Sequence, residues 1–301
     1  MRAVVFREFG SDELVGVADV PTPEPGEQEV RIRVAAATVN RTDINARAGL
    51  YGLPIPDSPG YGLGMDVSGE IDAIGAGVDR LSVGDRVVGF CMAPQQRGGQ
   101  AAFVVLPVEA VAPAPRGTDL VQAATLPLNG LTSLQVLAAV QPASGGTVVV
   151  TGAAGGLGMM VVQLAHNAGH RVVAWVRSKD DAAFLTSLGA DQVVTEVGEL
   201  TERSADAVID TAMLGQETVR LIRDGGAFIT VRGIEPELER GIRQVTVWVQ
   251  NDEEQLAELV SAVESGAVTL PGVTTMPLEE VASAHRVFEA GGVRDRLVLI
   301  P

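Results

Sequence analysis

The chain of 301 residues is poor in the residue types that build covalent or metal cross-links: it has one cysteine, three histidines and, among its cations, a single lysine. Cys91 alone closes no internal disulfide and supplies no cysteine-rich metal site. Cations are scarce overall: Lys and Arg number 22 against 38 Asp and Glu, a formal net charge of -16. A field of that sign repels phosphate backbones and anionic membranes, so no nucleic acid and no membrane surface is expected as a partner. Charged residues make up only 20% and hydrophobic residues 46%, which excludes a disordered chain. The first residues carry Arg2, Arg7 and Glu8 where a signal peptide needs an unbroken apolar run, so a cytoplasmic location is expected. The length suits two domains of about 150 residues each.

Charge is missing altogether between Asp119 and Arg171. A membrane span needs about 20 continuous apolar residues, and this run is broken by Pro127, Asn129, Pro142, Gly145–Gly146 and the glycines of 152–158. Buried helices around a central strand covered on both faces are the expectation.

The first third reads as short strands at 2–6, 29–34, 67–74, 85–90 and 101–105, separated by Pro- and Gly-rich turns, a spacing that suits a small barrel or sandwich. From about 119 the pattern alternates. Strands at 147–151, 171–176, 191–194, 206–210 and 226–231 follow or precede helices at 129–140, 156–168, 180–188 and 215–223, which predicts a doubly wound parallel sheet. Two amphipathic helices, 252–265 and 278–290, and a strand at 296–300 end the chain. An α/β protein is expected, with 119–249 as a Rossmann dinucleotide-binding domain inserted in a catalytic domain of 1–118 and 250–301.

The strongest local signal is the run from Thr147 to Ala165. A buried strand enters Gly152-Ala153-Ala154-Gly155-Gly156-Leu157-Gly158 and leaves as an apolar helix. This is a variant of G-x-G-x-x-G, with Ala153 in the place of a glycine. Gly155 lets the backbone approach a pyrophosphate, Gly158 lets helix and strand pack closely, and the N–H groups at the helix start bind the phosphates. A turn with no ligand is the alternative. At the tip of the second strand, where NAD-binding versions carry an acid, stand Arg177, Ser178 and Lys179, the groups a 2′-phosphate requires. NADPH is therefore the expected cofactor, with ordinary solvated charges as the alternative for these residues.

Residues 38–52 (TVNRTDINARAGLYG), 59–90, 123–137 and the glycine turn together resemble the medium-chain dehydrogenase/reductase superfamily, in the same order and along essentially the whole chain. The resemblance implies a GroES-like β-barrel catalytic domain beside the Rossmann domain. Zinc alcohol dehydrogenases of this superfamily carry Cys where this chain has Asn40, and Gly-His-Glu where it has Gly64-Met65-Asp66. Catalytic zinc takes about three protein ligands, and His166, His170 and His285 are scattered along the chain, so no metal is expected. The remaining likeness is to the zinc-free quinone oxidoreductases, similar to zeta-crystallin, and to the enoyl reductases. Asn40-x-x-Asp43 and Arg47-x-Gly49-x-Tyr51 resemble their signature. That resemblance implies that Asn40 and Asp43 line the nicotinamide end of the cleft, that Tyr51 is a proton donor and that Thr132 lies near the nicotinamide. Asn45, Glu196, Asp295-Arg296 and a short 232–250 segment depart from the family pattern, and that segment often carries the contacts of a homodimer.

Without a metal, the easiest hydride acceptor is an electron-poor one: a quinone or the β-carbon of an α,β-unsaturated carbonyl. Tyr51 either donates the proton or packs in its turn, and Asp43 is either catalytic or a structural acceptor. A reductase or cyclase of one specialised pathway, or a cofactor-binding protein without turnover, are the alternatives to a quinone or enone reductase.

Overall fold

In the segment 29–34, Val30, Ile32 and Val34 alternate with Arg31 and Arg33, and the chain forms the strand Glu29–Thr38 with the valines and isoleucine buried. The outward arginines pair across the strand Asp66–Ile74: Arg31 with Asp72 and Arg33 with Glu70, each at 2.9 Å. A computed structural model describes every residue except Leu53 and those at 55–59, 93–97, 142–143 and 232–234. The first three residues of the 232–250 segment thus lie outside the described residues.

Two compact units result, one of Met1–Leu128, Asn251–Glu264 and Leu270–Pro301, the other of Asn129–Gln250 and Ser265–Thr269. Residues 119–128, read in the sequence with the dinucleotide domain, belong to the first unit. Their polar groups are satisfied there: Ser68 Oγ donates to Leu120 O at 2.5 Å and Gln122 Nε2 to Pro271 O at 3.2 Å. Conversely, 265–269 joins the second unit, where Gln163 donates to Thr269 O and Asn167 to Ala267 O.

The first unit holds a seven-stranded sheet in which Glu29–Thr38, Asp66–Ile74, Arg86–Phe90, Phe103–Pro107 and Val111–Pro113 pair antiparallel. The last strand, Arg296–Ile300, joins it antiparallel to Glu29–Thr38, with Val298 opposite Thr38 and Leu299 opposite Ala37. The strand Val273–Pro277, which the sequence does not announce, runs parallel to Arg296–Ile300. A three-stranded sheet is made by Val15–Asp19, Arg2–Phe6 and Tyr61–Gly62. One core gathers Ile32, Val67, Ile71, Val87 and Leu106, another Phe6, Val39, Ile44, Leu63, Leu278, Val281 and Leu299.

The second unit is one parallel sheet in the spatial order Gln192–Val194, Arg171–Trp175, Thr147–Thr151, Ala205–Asp210, Ile222–Thr230, Arg243–Thr246. Numbered along the chain this is 3-2-1-4-5-6, the doubly wound dinucleotide-binding order. Thr147–Thr151 is central, with Val148, Val149 and Val150 buried, which accounts for the uncharged stretch that contains it. The helix expected at 215–223 is a single turn, Gln216–Val219. Leu221 and Ile222 are wholly buried, and Ile222 opens the next strand, so core packing overrides the helical pattern there.

Helix Val281–Ala290 buries His285 completely, and neither ring nitrogen has a hydrogen-bond partner among the described residues. Burial, with the Arg47 guanidinium adding to it, pushes the imidazole pKa from 6.5 down to about 4. Between these two values the unfolded chain takes up a proton that the folded chain refuses. The stability associated with neutral His285 is thus complete above pH 6.5, falls as the pH drops and levels off near 4. Replacing His285 by Leu should flatten the acid limb of stability by about 2–4 kcal/mol between pH 6.5 and 4, at about 1.4 kcal/mol per unit. Urea unfolding of both chains at several pH values checks this; parallel acid limbs would show that His285 takes no part.

Candidate active site

The turn after the central strand has the close approaches its glycines suggest. Gly152 sits at φ +60°, and a Cβ on Gly158 would lie 2.3 Å from Gly152 O and 2.7 Å from Ala153 Cα. Helix Gly156–Asn167 therefore starts hard against the strand end, as expected of the last glycine of the fingerprint. Ala153 is wholly buried and donates its N–H to Trp175 O at 3.3 Å, which holds it too far inside for a side-chain role toward a ligand. Gly155 is exposed at the helix N-cap with φ -76°, and a Cβ there would meet only Gly152 O, at 3.2 Å. That approach to a backbone oxygen is tight but far looser than the one at Gly158, and the exposed side of Gly155 leaves room for a group from outside. The opening N–H groups of the helix, at Gly156, Leu157 and Gly158, have no partner within it and suit a pyrophosphate, so the turn fits a dinucleotide.

Asp210, buried at the end of the neighbouring strand, shapes the opposite wall of this turn. It accepts from Thr151 Oγ1 at 2.6 Å and from the N–H of Gly215 at 2.8 Å. The sequence offered no motif for it.

The three tip residues are not equivalent. Arg177 is exposed and has no partner among the described residues. Ser178 Oγ accepts from Asp180 N–H at 3.1 Å and so caps a turn. Lys179 is paired with Glu199 at 3.5 Å. The Glu199 carboxyl is held down at about 2 by the N–H groups of Thr195 and Glu196. Glu199, absent from the sequence reading, thus takes up part of Lys179's charge, and Arg177 is the cation left over.

In the first unit Asn40 and Asp43 are brought together, facing inward. Asn40 precedes helix Arg41–Arg47, its backbone N–H donates to Asp43 Oδ2 at 2.7 Å, and Gly64 N–H donates to Asp43 Oδ1 at 2.9 Å. Asn40 Nδ2 donates to Thr38 Oγ1 and to Asp66 Oδ2, both at 2.8 Å. Arg296 Nη2 donates to Asn40 Oδ1 and, at 3.2 Å, to Val39 O. Thr38 Oγ1 donates to Asp66 at 2.6 Å, and the other Asp66 oxygen caps helix Pro127–Ala138 by accepting from Leu128 N–H. All these side chains are at least nine-tenths buried. Burial pushes the Asp43 carboxyl up to about 7 and raises that of Asp66, while the Arg296 guanidinium pulls both back. Cys91 is buried beside them, its thiol pushed up by burial and the two carboxylates, which makes it an inert core residue. Asp66 and Arg296, which the sequence marked only as departures from the family pattern, complete the network together with Gln100, whose Nε2 donates to Thr38 O at 3.0 Å and to Asp43 Oδ2 at 3.3 Å. The antiparallel run of the last strand is what adds Arg296: past the pair Val298–Thr38, Val39 N–H donates to Leu297 O at 2.9 Å, and Arg296 stands next to it.

Tyr51 is half-buried, its ring against the core that contains Phe6 and Ile44. Arg47 of the same signature is buried and bonds Glu289 at 2.8 Å, so this arginine ties its helix to Val281–Ala290. Thr132 is buried on helix Pro127–Ala138. Among the described residues no helix is long and apolar enough to cross a membrane.

A strand–glycine–helix cradle on a 3-2-1-4-5-6 sheet, in a chain whose other unit is a largely antiparallel β structure, defines a dinucleotide-binding protein with a GroES-like unit. Residues 26–116 match the alcohol dehydrogenase GroES-like domain and 188–299 the domain described as zinc-binding dehydrogenase. A quinone oxidoreductase of Pseudomonas aeruginosa is 30% identical, over 100% of this chain and 99% of the relative. An NADPH-dependent alkenal/one oxidoreductase of Arabidopsis thaliana is 29% identical, over 100% of this chain and 80% of the relative. The solved quinone oxidoreductase of Coxiella burnetii superposes with a TM-score of 0.90 at 29% identity, covering 100% of this chain and 99% of that one. The chain belongs to the medium-chain dehydrogenase/reductase superfamily, in its quinone oxidoreductase/enoyl reductase branch.

The geometry of Gly155 separates ligand binding from folding. Gly155→Ala should shift stability by no more than about 1 kcal/mol, the scale of a tolerated Gly→Ala change, yet weaken dinucleotide binding about tenfold or more. Thermal unfolding beside a cofactor titration decides; an unchanged dissociation constant would mean that no pyrophosphate lies over this residue.

Proposed function

We propose that this chain is an NADPH-dependent oxidoreductase that reduces a quinone or the activated C=C bond of an α,β-unsaturated carbonyl without a metal. The observation that carries the proposal is the cradle at Gly152–Gly158, where Gly155 is bare toward the outside and Gly158 is required by packing. The names of the two curated relatives agree with both acceptor classes.

A zinc ion does not fit the residues that stand in its ligand positions. Asn40 Oδ1 already accepts from a guanidinium, and Asp66 uses both carboxylate oxygens on Thr38, Asn40 and Leu128. A divalent cation would have to displace Arg296 from a buried site and leave its charge unpaired, which is costly.

NADPH, when bound, supplies a hydride. The helix-opening N–H groups would hold its pyrophosphate, Arg177 would offer the 2′-phosphate a fork of donors, and Thr132 would serve the nicotinamide end. As the acceptor takes up two electrons, its carbonyl oxygen or α-carbon needs a proton, and the Tyr51 hydroxyl is the group that gives it. Asn40 and Asp43, buried and bonded inward, act in this reading by setting the start of the helix that leads to Tyr51. The exposed Trp248, two residues beyond the outermost strand Arg243–Thr246, supports a homodimer through that sheet edge. A single buried thiol is consistent with a cytoplasmic protein.

Two experiments test this reading. Arg177→Ala should weaken NADPH about tenfold or more, at about 1.5–3 kcal/mol for a hydrogen bond to a charged group, and leave NADH nearly unchanged. Lys179→Ala should cost less, since Glu199 already shares that charge; equal losses for both cofactors would remove the 2′-phosphate assignment. In the second, Tyr51→Phe should lower kcat on an enone by about 10²–10⁴, the usual worth of a general acid, with NADPH affinity and Tm nearly unchanged. Quinone reduction should fall less, because a reduced quinone takes its proton from water. Full enone activity in the Phe chain would leave Tyr51 a packing residue.

A further inference from the structure

Arg296 is a guanidinium buried in the first unit, among groups that have no need of it for packing. It is 8% exposed, and its Nε has no partner among the described residues. Burial works against its charge and the Asp66 and Asp43 carboxylates work for it. A buried guanidinium with an unmet donor, bonded to an amide oxygen and a carbonyl rather than to a carboxylate, adds little stability, since apolar replacements of buried charges are often as stable. Its contacts suggest another use.

Nη2 bridges Asn40 Oδ1 and Val39 O, and so fixes which way the Asn40 amide faces. With Oδ1 turned to the guanidinium, Nδ2 must point to Thr38 and Asp66, and both of its hydrogens are spent there. The opposite orientation would set an N–H against the guanidinium. The amide in turn holds one oxygen of Asp66, whose other oxygen caps helix Pro127–Ala138, on which Thr132 lies. Asn40 is also the residue from which helix Arg41–Arg47 and then Tyr51 follow. One cation thus sets the starts of both elements that carry the residues read above as acting on nicotinamide and acceptor.

We propose that Arg296 is a positioning residue: a built-in cation at the place where zinc-bearing members of the superfamily have their ligands, fixing Asn40 and Asp66 and through them the elements of Tyr51 and Thr132. The inference rests on the proposed function for the roles of Tyr51 and Thr132; the hydrogen bonds that carry it, from Arg296 through Asn40 and Asp66 to Leu128, lie within the first unit.

Three variants test it, each assayed well below its Tm so that only folded protein is read. Arg296→Met removes the charge, and kcat on an enone should fall about 10–100-fold, the scale expected when reacting groups are displaced by about 1 Å. Arg296→Lys keeps a cation with donors enough for both acceptors and should stay within about threefold of the native kcat. In Arg296→Ala, guanidinium chloride at about 20 mM, far below the molar range of denaturation, should raise both kcat and Tm, and sodium chloride at the same strength should not. A native kcat per folded molecule in the Met chain would overturn the proposal, as would equal impairment of the Met and Lys chains. So would an Ala chain indifferent to guanidinium. If the native protein binds NADPH yet reduces neither quinone nor enone, the functional reading fails instead; the guanidinium-dependent Tm of the Ala chain still decides whether the cation site exists.

Discussion

The first unit is organised around two buried carboxyl groups, Asp43 and Asp66, with the Arg296 guanidinium beside them. An isolated charge in a protein interior is prohibitive, so each of the three must find partners from elsewhere in the chain. Asp43 finds the N–H groups of Asn40 and Gly64; Asp66 finds Thr38, Asn40 and Leu128; Arg296 finds Asn40 and Val39. These partners come from the start of a helix, two strands, a glycine turn, the start of a second helix and the final strand. Charge satisfaction therefore closes the chain's end onto its beginning, where the sheet contributes only two residue pairs between Arg296–Ile300 and Glu29–Thr38.

The second unit obeys a different constraint, that of backbone proximity. Its core strands are buried on both faces and need no polar specification, so Val, Ala and Ile serve almost anywhere. Specification is concentrated at the carboxyl ends of the central strands. Gly158 must be bare to let the helix in, and Asp210 must be acidic to hold the loop at 211–215. Ligands of such sheets sit outside these strand ends. The two units thus place their polar atoms by opposite rules: in one they form a buried knot, in the other they line an edge.

This contrast explains what was legible in the sequence. The glycine turn was legible because strand, turn and helix are contiguous, and each glycine has a local steric cause. The parallel, doubly wound class followed from the alternation of periods, but the strand order did not, and the five strands legible there leave out Arg243–Thr246, which has no apolar run, and the trade of helix for strand at Leu221 and Ile222. Asn40 and Asp43 stood out through their likeness to the family's Asn-x-x-Asp signature, although the sequence announces no helix at 41–47. Their meaning did not, since it depends on Arg296, 256 residues away, and no periodicity reports a partner at that distance. Lys179 and Glu199 show the same limit on a smaller scale: the lysine looked like a free cation until the fold set a carboxylate beside it.

The charge of the whole molecule bears on how such a chain could hold a polyanionic cofactor. A net charge of -16 makes the mean field unfavourable to any phosphate, but salt screens exposed charges beyond about 8–10 Å. Binding must then be won at contact range. A backbone cradle does this without a net charge, because the N–H groups at a helix start are fixed dipoles that cost nothing to reorient. Arg177 adds one unscreened cation at the strand tip, while Glu199 tempers the second. In the proposed reading, discrimination for a 2′-phosphate would rest on Arg177 alone, whereas affinity for the dinucleotide would be spread over a turn that tolerates no side chain at Gly158. Within that turn the packing demand falls on Gly158, where a Cβ would lie 2.3 Å from Gly152 O, while Gly155 turns its bare backbone outward.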